Sequence, residues 1–278
     1  MKLSVAIADH KAGPSAFVVW RGFAESIKKA ATLGYAGVEL ALRSREDVEP
    51  GELRPLLEKY NLEVSCISTG QVFADLGLSM ADTDDKRRSE AVQVLSGLVE
   101  LAAEFGGMVN LGRVRGFVAE GRNMSQTEAL FLESLGKLLP LAEKHGVVLV
   151  VEPVNRYETN FINNLSQCAD LLKKAGSPQV GIMADVFHMN IEDTQIGGAI
   201  ADCASMLRYV HLADSNRLAP GWGHLSFGEV FGALAQCGYD GWVSVEILPD
   251  PTPDAAARQA AEFLLPRVKR HNEVMCAR

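Results

Sequence analysis

The sequence lacks the features of several common classes of protein. It contains no run of 18 or more apolar residues, so we expect no membrane-spanning helix. Its five cysteines form no CxxC pair and suit a reducing cytoplasm better than a disulfide framework. No low-complexity linker interrupts the chain. We therefore expect a cytoplasmic protein with one domain that spans residues 1–278.

Positive charge is also scarce. The 27 lysines and arginines are outnumbered by 35 aspartates and glutamates, which gives a formal net charge of −8. An acidic chain is poorly suited to grip a nucleic-acid backbone, so we expect neither nucleic acid nor a membrane as a partner. The apolar segment 1–8 has one basic residue and ends at a polar stretch, which favours a first strand over a signal peptide.

What the sequence does contain is a regular alternation of two patterns. Apolar runs typical of buried strands cover residues 3–8, 36–40, 63–69, 107–112, 147–152, 180–185, 207–212 and 241–247. Segments of helical periodicity cover residues 16–33, 51–60, 86–105, 126–145, 165–175, 195–205, 227–237 and 253–272. Eight strand–helix units in a chain of this length predict an α/β fold, the (β/α)8 TIM barrel.

Four successive predicted strands end in residue types that bind metals. These residues are Glu152, Asp185, His211 and Glu246. Because the carboxyl ends of parallel barrel strands meet at one face, the four side chains are expected to converge. Three carboxylates and an imidazole would repel one another in an apolar barrel without a cation, so the pattern predicts one divalent metal. This donor set favours Mn(II), Mg(II) or Co(II) over structural Zn(II).

Other polar residues stand near these strand ends. Glu158 lies in the loop after the fifth strand, and Arg217 lies in the loop after the seventh. A single histidine is more often structural, but His188 follows a strand-terminal aspartate by three residues and can share its cavity. Asp214 is expected to support its loop. Its alternative role is to orient the imidazole of a metal ligand. For Glu39, which lies near the end of the second strand, a structural role is favoured over contact with substrate.

Two arginines follow the fourth predicted strand. Arg113 and Arg115 lie between glycines in a loop of the expected active face. Guanidinium groups match carboxylate or phosphate in bidentate geometry, so the pair predicts a site for an anionic group. A solvated loop with salt bridges explains the same residues equally well.

The motifs as a whole resemble the xylose isomerase-like barrel superfamily, and within it the ketose 3-epimerases that act on D-tagatose and D-psicose. The resemblance is carried by residues 152–158, 185–192, 211–217, 220–221 and 238–246. It implies a metal-dependent epimerase of a small keto-sugar, with Mn(II) as the most common metal. It also implies that the enzyme is a homo-oligomer, a dimer or a tetramer.

The same resemblance assigns roles within the predicted site. It implies that Glu152 and Glu246 hold the metal together with Asp185 and His211. It places Glu158, His188 and Arg217 at the carbonyl and hydroxyl end of the substrate.

The expected reaction begins with removal of a proton next to a ketone, which gives a cis-enediolate. Return of a proton to the opposite face needs a second acid/base group, so Glu152 and Glu246 are the expected catalytic pair.

The sequence departs from the free-ketose enzymes in two places. The segment after Glu246 is short, and the fourth strand leads into Arg113 and Arg115. A keto-sugar acid as substrate would explain one or both arginines. The alternatives are a sugar or hydroxypyruvate isomerase with a similar site and, less favoured, an apurinic endonuclease of the endonuclease IV type. The endonuclease would need extra histidines near residues 68–71 and 110–112, where the sequence has none.

Overall fold

Eight parallel strands close into a barrel in the computed structural model, which describes residues 1–277. Together with the short strand β2, they are β1 (Lys2–Ala8), β2 (Trp20–Arg21), β3 (Gly37–Ala41), β4 (Glu63–Ser68), β5 (Met108–Leu111), β6 (Val148–Val151), β7 (Val180–Asp185), β8 (Leu207–Leu212) and β9 (Trp242–Val245). Each barrel strand pairs with the next along the chain, and β9 pairs with β1. The predicted TIM barrel is confirmed.

Helices connect the strands and cover the outside of the barrel. They are α1 (Phe23–Thr32), α2 (Pro50–Tyr60), α3 (Gly70–Leu76), α4 (Asp85–Phe105), α5 (Met124–His145), α6 (Leu165–Ala175), α7 (Val186–Glu192), α8 (Ile196–Asp202), α9 (Phe227–Gln236) and α10 (Pro253–Cys276). Short 3-10 turns occupy Arg45–Asp47, Arg113–Arg115 and Ala204–Met206. Within residues 1–277, no helix is long and apolar enough to cross a membrane.

The structure differs from the prediction at three helices. The helix predicted for residues 16–33 begins only at Phe23, because Gly22 has a φ of 89° that a helix cannot contain. Before it, β2 pairs with the end of β1. The helices α3 and α7 were not predicted. Each has seven residues and begins directly after a predicted apolar run, so no separate helical period stands out in the sequence.

The alternation of side chains along each strand explains why the strand-end residues meet. Cys66, Val150, Met183 and Tyr209 pack together inside the barrel. Residues two positions apart on a strand point to the same side, and Glu152, Asp185 and His211 each follow one of these interior residues by two positions. They therefore point into the barrel at its carboxyl end. Glu246 likewise follows the buried Ser244, which pairs with His211.

Candidate active site

The four predicted metal ligands form one compact cluster. Each of Glu152, Asp185, His211 and Glu246 offers one ligand atom, and these atoms all lie within 4.8 Å of one another. The Nδ1 atom of His211 is 3.4 Å from Glu152 Oε1, 3.8 Å from Asp185 Oδ2 and 3.7 Å from Glu246 Oε2. Strand ends that are up to 94 residues apart in sequence (246 − 152) thus supply a candidate metal-binding group at one point.

The donor atoms of this cluster fit a cation. Among the described residues, His211 Nδ1 is buried and has no hydrogen-bond partner, a state that buried polar atoms rarely adopt. Asp185 Oδ2 is also buried without a hydrogen bond, and its one close polar contact is the ion pair with Arg217 over 3.0 Å. Without a metal, burial raises the pKa of Glu246 to about 8, although the charges of Arg217 and His211 act in the opposite direction. A divalent cation would favour the ionised form of the Glu246 carboxylate and would give His211 Nδ1 a partner.

A buried carboxylate behind the cluster orients the histidine. His211 Nε2 lies 3.0 Å from both carboxylate oxygens of Glu39, and the Tyr209 hydroxyl donates to Glu39 Oε2 over 2.9 Å. Because Nε2 is held by this carboxylate, Nδ1 is the ring atom that faces the cluster. Glu39 thus has the structural role favoured from the sequence. Orientation of a metal-ligand imidazole was the alternative role considered for Asp214. The structure gives this role to Glu39.

Glu39→Gln should therefore weaken metal binding without unfolding the barrel. A neutral amide holds the imidazole less firmly, and we expect the Mn(II) dissociation constant to rise about 10- to 100-fold. Calorimetric titration of Mn(II) into the metal-free protein measures this. The control is Glu63→Gln, an exposed glutamate on the neighbouring strand β4 that pairs with Lys2. Equal Mn(II) affinity in both variants would show that Glu39 does not support the metal site.

The Glu152 carboxylate is fixed by two residues from β5 and the turn that follows it. The Asn110 side-chain amide donates to Glu152 Oε2 over 2.9 Å. A Cβ atom added at Gly112 would lie only 2.6 Å from the same oxygen. Position 112 therefore has to be glycine for this carboxylate to keep its place.

Gly112→Ala should displace Glu152 and lower catalytic efficiency. A shift of about 1 Å in a reacting group can cost about 100-fold in rate, and we expect kcat/KM to fall by about this factor. The matched control is Gly136→Ala in α5, where an added Cβ has no neighbour within 4 Å. The two variants are compared by initial rates and by their melting temperatures. If both retained the rate of the parent protein, the close approach of residue 112 to Glu152 would have no role in catalysis.

His188 and Glu158 stand beside the cluster and are linked through Asn155. His188 Nε2 lies 3.6 Å from Asp185 Oδ2 and 3.9 Å from Glu152 Oε1. On its other side, His188 Nδ1 is 2.8 Å from the Asn155 side-chain nitrogen, which also donates to Glu158 Oε1 over 3.0 Å. Burial lowers the pKa of His188, which keeps the imidazole neutral at pH 7. Both side chains line the same cavity as Glu152 and Glu246.

Arg217 reaches the cluster from the loop after β8. Its guanidinium lies 3.0 Å from Asp185 Oδ2 and forms an ion pair with Glu246. It is stacked between the rings of Phe17 and Phe187, whose centroids are 4.8 and 4.7 Å from the guanidinium carbon. These contacts hold the Arg217 guanidinium beside the carboxylates. Burial alone would lower the pKa of Arg217, but the nearby carboxylates raise it above the usual value.

Asp214 organises the loop that carries Arg217. Its carboxylate accepts backbone N–H groups from Ser215, Gly221 and Leu225 over 2.7–3.1 Å. These hydrogen bonds lower the pKa of Asp214 even though burial opposes them. The predicted supporting role of Asp214 is what the structure shows.

The two arginines of the fourth loop have different environments. Arg113 lines the cavity, whereas Arg115 is fully buried outside it. The Arg115 guanidinium donates to the carbonyl oxygens of Gly112, Phe161 and Ile162 over 2.6–3.0 Å. Burial lowers the pKa of Arg115 to about 10. The expectation that Arg115 contacts substrate is not supported, because these carbonyl groups occupy all three of its nitrogens.

The site also contains residues for which the sequence predicted no role. Asn110 holds Glu152, Asn155 links His188 to Glu158, and Phe17 and Gln71 line the cavity. Asn110 interrupts the apolar run of β5, and this polar residue in a buried strand was the one signal available in the sequence. The positions of the others depend on loops and on the short helix α3. The cavity opens to solvent.

Comparison with known proteins identifies the family. The model of the xylose isomerase-like TIM barrel matches residues 27–267, so the chain belongs to this family. A ketose 3-epimerase from Arthrobacter globiformis is 32% identical over 244 residues, which are 82% of this chain and 81% of that protein. An L-ribulose 3-epimerase from Mesorhizobium japonicum is 32% identical over 220 residues, 77% of this chain and 71% of that protein. The resemblance inferred from the motifs is confirmed.

A solved structure agrees with the fold. The D-allulose 3-epimerase from Methylomonas sp. in complex with D-allulose matches with a TM-score of 0.80 at 23% identity, covering 96% of this chain and 98% of that one. The sequence relatives are named epimerases, so the chain is an enzyme that acts on carbohydrates.

Proposed function

We propose that the protein is a divalent-metal-dependent epimerase that inverts a carbon next to the ketone of a keto-sugar or keto-sugar acid. The observation that carries this proposal is the convergence of two glutamates, Glu152 and Glu246, with Asp185 and His211 at the bottom of an open cavity. The ketose 3-epimerases among the relatives make the carbon next to the ketone, C3, the first candidate for inversion.

The proposed metal is held by Glu152, Asp185, His211 and Glu246. Three carboxylates and one imidazole suit Mn(II), Co(II) or Mg(II). Mn(II) is proposed first because the resemblance to the ketose 3-epimerases implies it. When bound, such a cation stabilises negative charge that develops on the ketone oxygen of the substrate.

The two glutamates are the proposed proton-transfer pair. Their ligand oxygens lie within the 4.8 Å cluster, and they come from the different strand ends of β6 and β9. One carboxylate removes the proton on the carbon next to the ketone, which gives a planar cis-enediolate. The other gives a proton to the opposite face, so that the configuration is inverted. Asn110 and Arg217 hold the two carboxylates in place.

Three further side chains are proposed to position the substrate. His188, Glu158 and Arg217 line the cavity beside the glutamates. The neutral His188 and the fixed guanidinium of Arg217 are suited to stabilise a developing oxyanion. The Glu158 carboxylate, which already accepts a hydrogen bond from Asn155, is suited to accept another from a sugar hydroxyl.

We also propose a homo-oligomer, a dimer or tetramer, in the cytoplasm. All five cysteines are free in the described structure, which agrees with a reducing compartment. Size-exclusion chromatography with light scattering measures the oligomeric state directly.

Identification of the product tests the proposed reaction class. Mn(II)-loaded and chelator-treated proteins are incubated with ketoses and keto-sugar acids, and the products are assigned by carbon-13 NMR. A new ketose or keto acid that differs at one carbon next to the ketone, formed only with metal, is the expected result. An aldose or aldehyde product would replace the epimerase proposal with an isomerase. Absence of any conversion by the Mn(II)-loaded protein would refute it.

A further inference from the structure

The cavity contains one arginine that no carboxylate neutralises. Of the two arginines that line it, Arg217 pairs with Asp185 and Glu246, as described above. Arg113 has no carboxylate within 4.0 Å among the described residues, and its buried Nε has no hydrogen-bond partner. An unpaired guanidinium beside a substrate cavity is available for a ligand.

The position of Arg113 is fixed before any ligand binds. The residue begins the 3-10 turn Arg113–Arg115, which is closed by the backbone bond from Gly116 N–H to Arg113 O over 3.0 Å. The buried Arg115 guanidinium holds the carbonyl of the preceding Gly112 over 2.8 Å. The Arg113 guanidinium carbon lies 5.0 Å from the centroid of the Phe73 ring, a cation–π contact that restrains the side chain. Little conformational entropy is therefore lost on binding.

A buried acceptor lines the same cavity. Gln71 lies two residues before Phe73 in α3 and is 2% exposed. Its side-chain nitrogen donates to the Ala41 carbonyl over 2.8 Å, which identifies the other amide atom as the oxygen. That oxygen, Gln71 Oε1, is buried without a partner. A sugar hydroxyl donating to it would satisfy it.

We propose that Arg113 and Gln71 form a subsite for an anionic end of the substrate, a carboxylate or phosphate, with a neighbouring hydroxyl. This inference rests on the proposed function, because the metal cluster is taken to hold the ketone end. The Arg113 guanidinium matches the two oxygens of a carboxylate or phosphate, and Gln71 Oε1 accepts from the hydroxyl. The substrate class is therefore a keto-sugar acid or a ketose phosphate.

Binding of unreactive sugar analogues tests this subsite independently of turnover. Calorimetry on the Mn(II)-loaded protein compares D-glucitol, D-gluconate and D-glucitol 6-phosphate. We expect one of the two anions to bind about 10- to 100-fold more tightly than D-glucitol, and which one it is distinguishes a carboxylate from a phosphate subsite. Arg113→Gln should abolish the preference, and Arg113→Lys should retain part of it.

Two controls distinguish the proposed subsite from a general effect of net charge and from the proposed reaction. Arg122→Gln removes the same charge from an exposed position outside the cavity and should keep the preference. Equal binding of all three analogues, or a preference that survives in Arg113→Gln, would overturn the proposal. If the preference depends on Arg113 but no keto-sugar is converted, the subsite stands and the proposed reaction fails. If ketoses are epimerised without any Arg113-dependent preference, the reaction stands and the subsite fails.

Discussion

Replacing either proposed proton-transfer residue should abolish epimerisation. Glu152→Gln and Glu246→Gln each remove one acid/base group, and we expect kcat to fall about 100- to 10,000-fold. A single remaining carboxylate can still exchange the proton on one face. Each variant should therefore exchange the proton next to the ketone of one epimer with solvent. This exchange should be far faster than conversion of that epimer into the other. Proton NMR of the two separate epimers in D2O measures both rates.

Loss of metal is the main competing explanation, because the same residues are proposed ligands. Asp185→Asn provides the control, since Asp185 belongs to the cluster but has no proposed role in proton transfer. Excess Mn(II) should restore much of the activity of Asp185→Asn and little of that of Glu152→Gln. If excess metal restored all three variants equally, the glutamates would act as ligands only.

Removal of the metal should cost both activity and stability. Chelation removes the proposed cation from the cluster, and we expect activity to fall by a factor of about 1,000 or more, since the metal supplies several kcal/mol of charge stabilisation. Metal at 100 times its dissociation constant stabilises the folded state by about 2.7 kcal/mol. For a domain of this size, the melting temperature should therefore rise by about 5 °C on addition of Mn(II). Calorimetric melting with and without Mn(II) measures the shift.

A variant of the cluster is the control for the effect of Mn(II) on the melting temperature. His211→Ala removes the central ligand, so its melting temperature should be insensitive to Mn(II). An equal rise in His211→Ala and the parent protein would place the stabilising metal elsewhere.

The barrel and its candidate metal-binding group were predictable because each strand, and the polar residue at its end, can be recognised in the local sequence. A buried strand is marked by its apolar run, and the polar residue that ends it marks the edge where a site forms. Asp185 and His211 lie within strands that were predicted with the correct bounds. Glu152 and Glu246 lie one residue beyond theirs, yet the side-chain alternation still points them inward.

The partner of Glu39 could not be predicted because it is distant in sequence. The bond between Glu39 and His211 joins residues 172 positions apart. Its existence depends on the closure of the barrel, which sets β3 near β8 across the interior. The two arginines of the fourth loop show a second limit. Only the 3-10 turn decides that Arg113 lines the cavity while Arg115 is buried against carbonyl groups.

The central claim is that this cluster uses a metal and two carboxylates to move a proton next to a ketone. The most direct test is deuterium incorporation into D-allulose, the sugar in the matching structure, and into a keto-sugar acid during incubation in D2O. The account predicts that Mn(II)-loaded protein places deuterium on one carbon next to the ketone and that it appears in both epimers. Chelator-treated protein should incorporate none. Formation of the epimer without deuterium, or incorporation that does not need metal, would contradict the account.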